Sequence, residues 1–287
     1  MTAGAATAAL VAFAARLWTA PRARLGLLLV ALLVLAAAAA PWLAPYDPSA
    51  QLDLATLQLA PPSTAHPLGT DLFSRDVLSR LLHGARISLS IAVLAVLVAV
   101  TVGTAVGLAA GYGGPVLDAV LMRVVDSGLA IPRVFLLLMV LALWERSTSL
   151  TLILVLGLTS WFPTSRLARA EALSVRRRDY VVAARALGFP SWRILLRHVL
   201  PNIAPALLVS AALGVGQIVL VEAGLSFLGV GVQPPTASWG NMIADGQTHL
   251  LAAPWLAAAP GLALVLTVIA FSVLADGLQD ALNPRSS

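Results

Sequence analysis

The sequence predicts an all-α membrane protein of six transmembrane helices with cytoplasmic N- and C-termini, on three observations. Of 287 residues, 59% are hydrophobic and 11% charged, and mean hydropathy is +0.91. A soluble domain carries roughly 25% charge, so this chain lacks the charge to cover a water-facing surface. Second, the chain contains six predominantly apolar stretches of about the length a helix needs to cross a bilayer. Third, the largest arginine excess falls in segments that a six-span count places on one side, as cytoplasmic retention of basic loops requires.

Composition also excludes function classes. The formal net charge is +5, but it sits in loops between apolar spans, which fits membrane orientation and not nucleic-acid binding. There is no lysine, so the chain cannot supply the lysine that a phosphate-cradling P-loop places on ATP. If ATP drives its work, another polypeptide binds it. Cysteine is absent, which leaves no disulfide or thiolate chemistry and no redox clue to compartment.

Residues 1–24 end in Arg16, Arg22 and Arg24. Positive charge after the apolar run is the reverse of a cleavable signal peptide, so 1–24 reads as a cytoplasmic tail. Leu25 to Pro45 is uncharged and forms the first span. Residues 46–86 read as an extracytoplasmic segment broken by Pro, Ser and Asp, with a short surface helix at Val77 to Leu82. A core domain of five spans follows over 87–276.

Ile87 to Gly113 is the second span, and Gly103, Ala105, Gly107, Ala109 and Ala110 in it permit close helix approach. The third span reaches from about Gly128 to Trp144, interrupted at Pro132. Asp118, Arg123, Asp126 and Arg133 form an interfacial or bundle-facing charged turn. Glu145-Arg146 makes a short outer loop. Ser147 to Ser165 is the fourth span, Ile203 to Ala223 the fifth and Leu250 to Ala275 the sixth. Gly229 to Thr248 is an outer loop, and 277–287 a cytoplasmic tail carrying Asp280 and Arg285, just after Asp276.

Between the fourth and fifth spans lies the one long polar segment, the cytoplasmic loop 166–202. It carries eight arginines against Glu171 and Asp179. Tyr180 to Leu187 is a good helical stretch, and Gly188 can take the left-handed conformation that ends it. Pro190 restarts the chain, and Trp192 to Leu200 is a second helix stopped by Pro201. Ala183, Ala184 and Ala186 offer a low-relief face, bracketed by Arg185, Arg193 and Arg197. A solvated loop that binds lipid headgroups is the competing reading.

Ala183-Ala184, Gly188 and Leu200-Pro201 resemble the EAA loop of ABC importer permeases, the cytoplasmic element that docks on the ATPase subunit. Val182 stands where the family usually has glutamate, and His198 where the motif prefers isoleucine. His66-Pro-Leu-Gly-Thr-Asp71, Ser74-Arg-Asp76, Gly84-Ala-Arg86, Glu222-Ala-Gly-Leu-Ser-Phe-Leu-Gly229, Gln233-Pro-Pro235 and Trp239-Gly-Asn241 are similar to the second permease of the dipeptide/oligopeptide/nickel group. The likeness runs from about Leu25 to the end. It implies a type I ABC importer permease fold in the bacterial inner membrane. It also implies a second permease subunit as heterodimer partner, two ATPase subunits and an extracytoplasmic substrate-binding protein. ATP and Mg would be bound by the ATPase partners and no cofactor by this chain. Peptide is the implied cargo, with nickel or another small solute as the alternative. The coupling residues it implies are Tyr180, Val182, Ala183, Ala184, Arg185, Leu187, Gly188, Leu200 and Pro201.

Asp126 and Glu222 are the ionisable residues expected at membrane depth, where burying charge is costly. Each either lines a substrate path or hydrogen-bonds a broken helix end. The four histidines show no metal-ligand spacing, and no nucleophile–base pair stands out. An ion-coupled secondary transporter would need internal repeats and midplane coupling acids, and neither is clear in the sequence.

Overall fold

The structure, a computed structural model, describes residues 20–144 and 148–282. The expected Glu145-Arg146 loop, Arg285 and most of the N-terminal tail lie outside the described residues. Helix α1 spans Pro21–Ala38 with proline in its first turn, so Pro21 to Arg24 are helical and continuous with the first apolar run. Two single turns follow, α2 at Ala40–Leu43 and α3 at Leu54–Leu57.

Helix α4 runs unbroken over Val77–Tyr112, 36 residues. At 1.5 Å per residue it is about 54 Å long, well beyond the hydrocarbon thickness of about 30 Å. The short surface helix expected at Val77 to Leu82 is therefore continuous with the second span, as the first turns of one helix. Asp76 starts it by accepting from the Ser79 amide at 2.8 Å, and no proline follows to separate the two.

The third span is broken. Helices α5 (Pro115–Ala130) and α6 (Arg133–Leu141) meet at 87°. Pro132 forces the residue before it out of the helical region, and Ile131 has ψ 124°. The break falls inside the stretch expected to be membrane-embedded.

Helix α7, Ser149–Arg176, continues well past the expected span end at Ser165. Residues 166–176 are mostly strong helix formers, and Ala168, Ala172 and Val175 on one face are buried. What reads in the sequence as one long loop thus begins as helix. Helix α8 is Asp179–Ala186 and α9 is Ser191–Ile194. Pro201 does not stop the helix that follows. A π stretch at Leu195–Val199 leads straight into α10, Leu200–Phe227. In it the Leu200 amide bonds the Leu195 carbonyl, five residues back. Such a widened turn lets a helix absorb a proline whose ring would clash with a regular i−4 carbonyl.

The expected outer loop Gly229 to Thr248 holds a packed helix, α11 (Trp239–Gln247), started by a capping box between Ser238 and Asn241. Helix α12 spans Trp255–Leu282, so Asp276 and Asp280 lie in its last turns.

Among the described residues five helices are long and apolar enough to cross a membrane, and α5 with α6 makes a sixth if counted as one span. The α4–α7 pair is the most extensive packing. It depends on small residues: a Cβ on Gly107 would lie 2.5 Å from the Ser165 carbonyl oxygen, and one on Gly103 2.7 Å from Thr164 Cβ. The main core, including Ile91, Leu137, Leu156, Ile218 and Trp239, lies between α4, α6, α7, α10 and α11. Smaller cores sit at the two ends, one around Val181, Ile194 and Ile203, the other around Val77, Met242 and Leu256.

Candidate functional site

At the arginine-rich end, α8 closes with a paired C-terminal turn. Phe189 N–H donates to the Ala184 carbonyl at 3.2 Å and Gly188 N–H to the Arg185 carbonyl at 3.0 Å. Gly188 holds φ +77°, the left-handed geometry that this motif needs and that a Cβ disfavours. Val181 and Ala184 face inward onto Ile194, Val199 and the end of α7. Ala184 is therefore an anchor, not part of the open alanine face expected from the sequence; Ala183 and Ala186 remain exposed.

The outer side of this hairpin is apolar. Leu187 is 75% exposed, Trp192 65% and Val182 51%, with Tyr180, Phe189 and Leu196 also open. Large exposed apolar side chains grouped in this way are of the kind that a protein or membrane contact covers. Leu200 is half-buried and Pro201 exposed in the first turn of α10. The hairpin is tied to the second span through Tyr112. The Arg176 and Arg185 guanidiniums lie 5.2 and 5.6 Å from the Tyr112 ring centre, and Arg176 Nη1 donates to the Gly111 carbonyl at 3.2 Å. Through these contacts α8 is packed against the ends of α4, α7 and α10. Tyr112 was not a sequence candidate; a lone tyrosine closing an apolar span beside Gly111 was the available signal.

At mid-span a cavity of about 260 Å³ lies at the α5–α6 break, lined by Val96, Phe162, Thr164 and Arg133 among others. Pro163, Ser210, Gly214 and Gln217 also line a groove of about 640 Å³ that extends toward Glu171 and Gln279. Arg133 Nη2 donates to Ser160 Oγ at 2.6 Å.

Glu222 is fully buried and lines neither space. Its Oε2 accepts from Ser88 Oγ at 2.9 Å and its Oε1 from Ser226 Oγ at 2.7 Å. Those hydroxyls in turn accept from Trp239 N at 3.3 Å and Val232 N at 3.0 Å. Glu222 thus ties α10 to α4 and to the start of α11. Its partners are two side-chain hydroxyls, and it lies outside both the cavity and the groove. Asp126 is half exposed and ion-paired to Arg166, and Asp118 accepts from Arg169 Nη2 at 2.6 Å. Both pairs join α5 to α7.

The opposite end holds a charged cluster. Asp71 Oδ2 accepts from Arg75 Nε at 2.7 Å, and Arg80 Nε lies 3.4 Å from the same oxygen. Asp245 on α11 meets Arg75 at 3.5 Å and Arg80 at 3.4 Å. His66 Nδ1 is 2.9 Å from Asp76 Oδ1. The motif residues His66, Asp71, Arg75 and Asp76 therefore organise the top of α4, and Asp245 locks α11 onto them. Burial holds the Asp245 carboxyl above its ordinary 3.8, against the pull of Arg80 and Arg75. Among the described residues no group of three His, Asp or Glu side chains converges as metal ligands.

Residues 103–287 match the family described as binding-protein-dependent transport system inner membrane component, and residues 10–62 match the N-terminal TM domain of oligopeptide transport permease C. The di/tripeptide transport system permease protein of Pseudomonas aeruginosa is 39% identical over 266 residues, covering 91% of this chain and 87% of that one. The oligopeptide transport system permease protein of Mycobacterium bovis is 39% identical over 256 residues, 89% of this chain and 87% of that one. A solved inward-facing structure of the MetNI methionine ABC transporter superimposes with TM-score 0.59 at 16% identity, over 72% of this chain and 98% of that chain. That likeness shows the fold, which is that of a type I ABC importer permease.

Proposed function

The chain belongs to the binding-protein-dependent transport system inner membrane components, and from that premise we propose that it is one permease half of an importer of di- or oligopeptides. It is a multi-pass protein of the bacterial inner membrane. The observation that carries the cargo reading is the 39% identity to two permeases named for peptides, over about nine-tenths of the chain. In this reading a second permease completes the pathway and a binding protein delivers peptide from outside. Two ATPase subunits, which hold ATP and Mg, sit beneath the arginine-rich end. Both termini are cytoplasmic, with 46–86 outside and 87–276 forming the core.

The exposed apolar side of α8 and its turn supports docking there. Val182 fits an apolar cleft, where the family's usual glutamate would make a polar contact. ATP-driven closure of the ATPase pair moves the hairpin, and Tyr112 together with the shared anchors passes that motion to α4, α7 and α10. Transport is then a two-state equilibrium biased by ATP and by the loaded binding protein.

The test is co-purification with candidate ATPase subunits, followed by peptide uptake and ATP hydrolysis in proteoliposomes. Gly188→Val forces a β-branched side chain into left-handed geometry. It should uncouple hydrolysis from uptake while the spans stay inserted; unchanged uptake would refute the hinge. Uptake by this chain without any ATPase would refute the importer reading. Growth of a deletion strain on defined peptides, compared with nickel-limited medium, separates the cargo alternatives.

A further inference from the structure

The geometry points to a subsite for the cargo's terminal carboxylate at the α5–α6 break, held by the Arg133 guanidinium; this deepens the peptide-import reading and rests on it. Arg133 stands at mid-span, and the two buried arginines elsewhere among the described residues, Arg75 and Arg80, are both matched by carboxylates. Arg22 pairs with Asp280, Arg75 and Arg80 with Asp71 and Asp245, Arg166 with Asp126 and Arg169 with Asp118. Among the described residues no carboxylate pairs with Arg133. Its Nη2 donates to Ser160, and its buried Nε has no hydrogen-bond partner there. A charge at membrane depth is costly and faces a cavity or a partner. Here it faces the cavity of about 260 Å³.

The surroundings suit a peptide end. Arg133 is the first residue of α6, so the positive end of that helix dipole lies at the cavity wall. Thr159, Thr164, Ser210 and Gln217 provide neutral donors and acceptors, set among apolar groups such as Val96 and Phe162. Through Ser210, Gly214 and Gln217 the cavity joins the larger groove toward the arginine-rich end, which gives the rest of the peptide somewhere to go. Every unmodified linear peptide, whatever its side chains, ends in a carboxylate. A planar guanidinium fork matches that group and leaves the side chains unread. Such a contact suits a carrier of many peptides.

The experiment uses the complete transporter in phosphatidylcholine–phosphatidylglycerol vesicles. Radiolabelled alanylalanine and its C-terminal amide are supplied on the binding protein, and uptake is expressed per loaded binding protein. A charge-assisted hydrogen bond is worth roughly 1.5–3 kcal/mol, so wild type should carry the acid roughly tenfold to a hundredfold faster than the amide. Arg133→Gln should bring the acid down to the amide's rate, and Arg133→Lys should keep most of the preference. Retained preference in Arg133→Gln overturns the subsite. So does an equal fall for acid and amide, which would mark a structural arginine or one that binds lipid phosphate, and so does a wild type with no preference. A wild type that moves no peptide overturns the cargo reading and this subsite together. Wild-type uptake indifferent to Arg133 overturns the subsite alone.

Discussion

Replacing Glu222 by alanine is expected to release the Val230–Gln247 segment from the outer half of the bundle. The two serine hydroxyls that now donate to Glu222, Ser88 at 2.9 Å and Ser226 at 2.7 Å, are both buried. Without the carboxylate each loses its acceptor in a region that water does not reach. Stranding a buried polar group costs roughly 1–3 kcal/mol, so the pair costs roughly 2–6 kcal/mol. The same hydroxyls accept from Trp239 N and Val232 N, so the loss falls on the α11 segment first. Glu222→Gln keeps the shape and one carbonyl acceptor, and should cost about 1 kcal/mol. The natural absence of cysteine makes the assay direct. A single cysteine at Ala237, which is 5% exposed, is labelled by a membrane-impermeant maleimide only when the segment opens. A loss of 2 kcal/mol or more should speed labelling by roughly thirtyfold or beyond. Labelling and melting in Glu222→Ala equal to the parent would refute the role assigned to this knot.

Three further outcomes are expected. Gly107→Ala places a Cβ 2.5 Å from the Ser165 carbonyl oxygen and should destabilise the α4–α7 pair by roughly 1–3 kcal/mol, read as a lower melting point in detergent. Gly224→Ala meets nothing within 4 Å and should be neutral or slightly stabilising by the same measurement. Because Asp245 binds its proton more tightly folded than unfolded, its stabilising contribution is complete below pH 3.8 and is lost as pH rises through its native value. Asp245→Asn should flatten that part of the melting-versus-pH curve; an unchanged slope would count against burial as the cause.

Legibility followed the range of the forces involved. The apolar runs at Leu25, Ile87 and Leu250 mark spans because crossing a bilayer is a local demand on composition. Pro132 marks a break because its effect on Ile131 is local too. Gly188 reads as a helix end from its neighbours alone. Other features were misread for the same reason. Pro201 looked like a stop, but a π turn absorbs it. Arg166 to Arg176 looked like loop, because their burial against α8 and α10 is invisible in composition. The outer loop looked irregular, but Trp239 and Asn241 pin it through partners up to 158 residues away.

The sequence by itself determined the membrane class, the apolar runs that can span a bilayer, the arginine-rich end and the lack of a lysine for a P-loop, since each follows from local hydrophobicity and residue types present or missing. Only the tertiary structure decided which charges are matched. Asp126 finds Arg166, Glu222 finds Ser88 and Ser226, and Asp245 finds Arg75 and Arg80 across 170 and 165 residues. Arg133 is left facing a cavity. Pairing depends on distance in space, and in this bundle that distance is set by glycines such as Gly107, which let α4 and α7 close to contact.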